Sequence, residues 1–112
     1  MGLVWDRNYY HRNNLDQCIA DFPLYRTPDL TVVDAFYCLA DGGPRWRRGS
    51  RILNPKMQFL SHDIVTADAA ALAQAKQFGV RGAEGVGYID KAADHNLGIK
   101  DLQSIEIARL SV

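Results

Sequence analysis

The stretch LTVVDAFYCLADGGP, residues 30–44, runs from a hydrophobic strand into an acidic, glycine-rich loop. Leu30, Val32 and Val33 offer apolar surface for burial, and Asp34 interrupts the run. Cys38 and Leu39 then carry the chain to Asp41-Gly42-Gly43-Pro44, where it must turn. A carboxylate at the core end of a strand is costly to bury unless it is hydrogen-bonded or paired. Asp34 therefore either structures a turn or belongs to a site.

Working outward from this strand, the rest of the chain alternates helical and extended patterns. Upstream, Asn13 or Asn14 can cap a helix with Leu15, Cys18, Ile19 and Phe22 at helical spacing, and Pro23 is expected to close it. Downstream, residues 41–55 lack any period and read as a long loop, and residues 57–61 read as a second short strand. Ser61 or Asp63 caps a helix running through Phe78, with Ile64, Ala67, Ala71, Leu72 and Ala75 on one face and Gly79 as its stop. Residues 81–87 form a glycine-spaced connection. A third helix carries Val86, Ile89, Ala92 and Ala93 and closes at Asn96 and Gly98. Residues 103–110 alternate through Ile105 and Ile107 and read as a third strand.

This order predicts a single small layered α/β domain over residues 1–112, with about three strands in a mixed sheet packed by about three helices. A three-stranded sheet is thin, because such sheets usually hold about five or six strands. The sheet is therefore expected to be completed by another chain or by a missing part of the domain.

Composition limits what such a domain does. With 112 residues, 47% of them hydrophobic, there is material for one core. Thirteen basic residues balance thirteen acidic ones, so no global field draws the chain to nucleic acid or to an anionic membrane. Cys18 and Cys38 lack metal or redox spacing and are expected to be reduced, buried thiols. No apolar run approaches the roughly 20 residues that span a bilayer. The N-terminal MGLVWD fits neither a secretory signal nor a myristoylation site, and a cytoplasmic location is the expectation.

Four constellations could carry chemistry. Asp34, Asp41, Gly42 and Gly43 lie where strand ends meet loops, the usual place for ligands of open α/β sheets. The two glycine amides could hold a small anion, and the carboxylates a divalent cation such as Mg²⁺. The alternative is a capped turn. Second, Asp63 suits a helix N-terminus, while Asp68 breaks an alanine-rich face and is either solvated or aimed at the same strand end as Asp34. Third, His11, His62 and His95 show no metal spacing; His11 is the best of them as a general acid/base, although a lone histidine is more often structural. Fourth, residues 45–51, RWRRGSR, set four arginines around Trp46, which suits phosphate and base contacts or, more simply, a solvated loop or subunit contact.

The succession of these segments resembles the uncharacterised family called domain of unknown function 362, whose members are often associated with iron–sulfur ferredoxin modules. The resemblance rests on Tyr10-His11, the helix from Leu15 to Asp21, PDLTVVDA at 28–35, GGP at 42–44 and DIVTAD at 63–68. It continues through Tyr88-Ile89, Ala92, Leu97-Gly98 and Ile105-Glu106-Ile107. It implies that the chain corresponds to the C-terminal half of the family domain, with a lysine- and histidine-bearing segment preceding it elsewhere. It implies an iron–sulfur cluster only on a separate module, since two cysteines cannot supply the four thiolates of a conventional cluster. His11, Asp34, Asp63 and Asp68 are the family-like positions expected to line any site, with His11 as acid/base and Asp34 and Asp68 orienting it or holding a divalent cation. The expected partners are a ferredoxin-type module, a missing N-terminal half or a second copy in a homo-oligomer. The other functional class is a non-catalytic assembly module that pairs through an exposed sheet edge. A third is nucleotide or nucleic-acid binding through residues 45–51.

Overall fold

The computed structural model describes residues 4–41 and 46–111. Its central ribbon joins β1 (Thr31–Ala35) to β4 (Met57–Ser61), antiparallel, with Val32 opposite Leu60 and Val33 opposite Phe59. The period of two turns Thr31, Val33, Ala35, Met57, Phe59 and Ser61 toward helix α3 (Ile64–Gln77) and leaves Val32, Asp34, Gln58 and Leu60 on the other face. Between these strands the chain makes a second antiparallel ladder, β2 (Cys38–Leu39) with β3 (Ile52–Leu53).

The helices form where local chemistry stops and starts them. Asn14 accepts a hydrogen bond from the Gln17 amide at 3.1 Å and opens α2 (Leu15–Tyr25). The Asp63 carboxylate accepts from the amides of Val65 and Thr66 and opens α3. At the far end Gly79, at φ 65°, lets its own amide reach the Lys76 carbonyl and that of Val80 reach Ala75. Asn96 does the same for α4 (Tyr88–Asp94): it lies at φ 57°, its amide donates to Ala93, and that of Leu97 donates to Ala92. A short α1 (Arg7–Arg12), opened by Asp6, precedes α2, and a 3-10 turn (Ala83–Gly85) precedes α4.

Helices α2, α3 and α4 meet around Ala20, Val65, Ala69, Ile89 and Ala92, with Ile64, Leu72, Val86 and Leu97 packed around them. Alanines at the contacts let the helix backbones approach closely, but they bury little area each. No helix among the described residues is long and apolar enough to cross a membrane.

The molecule is thus a small α/β domain that differs in several elements from the expected ones. Both ladders are antiparallel pairs rather than one mixed three-stranded sheet. Residues 103–110 are not a strand: Asp101 turns the chain by accepting from the Gln103 amide, and the alternating residues beyond find no strand edge, leaving Leu110 91% exposed. Helix α2 runs two residues past Pro23, which forfeits one backbone donor near the helix end without stopping the last turn.

Candidate functional site

Three helices each turn a triad toward one open space, spaced i, i+3, i+4 on α2 and i, i+1, i+4 on α3 and α4. These are Ile19, Phe22 and Pro23 of α2; Ile64, Val65 and Asp68 of α3; and Tyr88, Ile89 and Ala92 of α4. Together with Tyr25, Arg26 and Pro28 they line a cavity of about 510 Å³, within the range of small-molecule sites. Its wall is almost wholly apolar, and among the described residues Asp68 is its one carboxylate.

Asp68 is half-buried, and burial pushes its carboxyl above the ordinary range, while a hydrogen bond from Tyr88 pulls the other way. The Tyr88 phenol is pushed far up, first by burial, then by the charge of Asp68 and their hydrogen bond, and also by the charge of Asp16. Tyr88 therefore stays protonated at any working pH, beside Asp68 in the same wall. Asp16 approaches closely because residue 87 is glycine: a Cβ there would stand 2.8 Å from the Asp16 Oδ2.

The other residues singled out in the sequence do different work. Asp34 is exposed, and its Oδ1 accepts from the Phe36 amide at 2.8 Å, closing a turn at the end of β1. Asp63, besides opening α3, accepts from the Ile99 amide at 2.7 Å and so ties the chain after α4 to the start of α3. A Cβ on Gly98 would overlap that carboxylate. Asp41 lies 3.5 Å from the Arg81 guanidinium. Gly42 and Gly43, expected to hold an anion, lie outside the described residues. His11 is exposed on α1; His62 Nδ1 donates to the Asp29 carbonyl at 2.7 Å, and His95 Nε2 lies 3.0 Å from Asp21. Hence His11, Asp34 and Asp68 do not form a cation site: among the described residues no group of three histidines, cysteines or acids could hold a metal ion. Asp68 faces the helices, not the strand end of Asp34.

Within residues 45–51, Trp46, Arg47 and Arg48 are exposed and Ser50 closes a turn with Arg47. Arg51 is committed, donating to the Gly79 carbonyl at 2.7 Å where α3 ends. The cavity residue that sequence reasoning did not single out as a site residue is Tyr88. A tyrosine on the apolar side of a helix needs a partner for its hydroxyl, and Asp68, already conspicuous on an apolar face, lines the same wall.

A family model described as a domain of unknown function (DUF362) matches residues 1–73. The matched part takes in Asp34, Asp63 and Asp68 and stops short of Tyr88. No curated protein and no solved structure matches the chain.

Proposed function

This chain belongs to the DUF362 family, and from that premise we propose that it is a ligand-binding module whose site is the α2–α3–α4 cavity. The observation that carries this reading is a half-buried carboxylate, with a phenol beside it, in the wall of an otherwise apolar space of about 510 Å³. Apolar cavities with a few convergent polar groups and a perturbed acid are the usual form of binding sites. The bound molecule has a hydrocarbon body and one polar group that reaches Asp68. Calorimetric titration with 1-octanol tests this directly. Saturable binding is expected, and Ile19→Glu, which hydrates the cavity wall, abolishes it. No saturable binding, or binding unchanged by Ile19→Glu in a folded variant, rejects the cavity as the site.

Redox association of this chain, beside a separate iron–sulfur protein, is part of the same proposal. The donor set of the chain does not fit a cluster of its own. Cys18 on α2 and Cys38 on β2 are both free, and neither belongs to a larger ligand group among the described residues. A cluster would therefore sit on a separate cysteine-rich module.

A second reading, assembly, is favoured by the surface. The chain exposes 8733 Å², whereas a compact monomer of 12.5 kDa exposes about 6,200 Å². Part of that excess is the bare face of the β1–β4 ribbon, where Val32 and Leu60 are 55% and 65% exposed and directly opposed. A two-stranded ribbon gains by adding strands or a cover, so a second copy on this face is the corresponding proposal.

A further inference from the structure

The cavity is lined by one acid and one base among the described residues, and of the two only the acid, Asp68, is half-buried. Asp68 stands within ion-pair distance of no lysine, arginine or histidine among the described residues, and Asp16, whose charge also acts on Tyr88, is likewise unpaired. Among the described residues the cation lining the space is Arg26, exposed at the end of α2. The Tyr88 hydroxyl has one hydrogen to give, so it leaves most of the acceptor capacity of the Asp68 carboxylate unused. A neutral ligand without donors would desolvate this carboxylate further and return nothing. An anionic head would be repelled by it. A protonated amine supplies both the opposite charge and several N–H donors, and the aromatic rings of Phe22, Tyr25 and Tyr88 in the same wall suit a cation.

We propose that the cavity takes a hydrophobic amine, with its ammonium group on the Asp68 carboxylate and its hydrocarbon body against Ile19, Phe22 and Ile89. This rests on the reading of the cavity as the ligand site and names the class of ligand. Asp68 then selects among ligands by charge, while the apolar triads of α2 and α4 supply affinity that any molecule of the same shape would share.

The test is a titration series with one hydrocarbon body and three heads, 1-octylamine, 1-octanol and octanoate, read by calorimetry near pH 7. Octylamine is expected to bind about tenfold or more tighter than octanol, the low end of what a close, partly desolvated charge pair contributes, with octanoate weakest. Asp68→Asn, which keeps the side-chain shape, should erase the advantage of the amine over the alcohol. An amine that binds no tighter than the alcohol to the unaltered protein overturns the inference with no variant needed. So does an amine preference that survives Asp68→Asn. In both of those outcomes octanol still binds and the cavity remains the site; failure of all three ligands instead removes the cavity reading itself.

Discussion

Replacing Asp63 by alanine removes three hydrogen bonds at one point of the fold. Two are the capping bonds from the amides of Val65 and Thr66, at 2.8 and 2.9 Å, and the third comes from the Ile99 amide at 2.7 Å. Loss of an N-cap of this kind costs about 0.5–2 kcal/mol. A hydrogen bond to a charged acceptor is worth about 1.5–3 kcal/mol, and the exposed Ile99 end belongs at the bottom of that range. The sum is about 3 kcal/mol. With an unfolding entropy of about 2.1 cal/mol/K per residue, a chain of 112 residues then loses about 13 °C in Tm. Urea denaturation gives the free energy and differential scanning calorimetry the midpoint, and hydrogen exchange should show the Ile99 amide losing protection. Asp63→Asn, which keeps one acceptor for the cap but turns an amide nitrogen or a single oxygen to the remaining donors, should fall between the two. A loss below about 0.5 kcal/mol, the scale of ordinary surface substitutions, would refute the idea that Asp63 joins the start of α3 to the chain beyond α4.

The remaining expectations concern neighbouring features. Gly98→Ala should destabilise by pushing a methyl group into the Asp63 carboxylate, and it should cost much less in an Asp63→Ala background, a coupling that a double-mutant cycle measures. Burial raises the Asp68 carboxyl, so the folded protein holds that proton more tightly than the unfolded chain does; the contribution of Asp68 to stability is greatest at low pH and falls as pH rises from the unfolded value of 3.8 through the raised folded one. Asp68→Asn should therefore be more stable than the unaltered protein in urea at pH 7, and the difference should shrink on acidification; lower stability of the variant at pH 7 contradicts this. Val32→Lys combined with Leu60→Lys should convert a self-associating chain to monomer in sedimentation velocity, and an unaltered protein that is already monomeric at high concentration removes the assembly reading.

What was legible in the sequence was what local chemistry decides. Asp63 and Gly79 bracket α3, and Asn96 ends α4, because a cap or a left-handed residue acts within one turn of itself. The strands at 31–35 and 57–61 declared themselves by composition. The two-residue ladder of Cys38–Leu39 with Ile52–Leu53 did not, since its pairing is fixed across a loop rather than within either segment. Residues 103–110 carry the alternation of a strand, but alternation supplies no partner. Asp34 looked costly on the assumption that both faces of its strand are covered; the outer face is bare, so the carboxylate sits in water and closes a turn. Asp68 stood out as an acid on an apolar face, and the structure turns it toward the helices rather than toward Asp34. Its counterpart Tyr88 lies 20 positions along on another helix, and only the packing of α3 against α4 brings the two together.

The central claim is that the space between α2, α3 and α4 is a binding site. Amide chemical-shift mapping on the isotope-labelled protein during titration with 1-octanol tests it most directly. The account predicts saturable shifts concentrated at Ile19, Phe22, Asp68, Tyr88 and Ile89. Shifts confined to the outer face of the ribbon around Val32 and Leu60, or no saturable shifts at all, would contradict it.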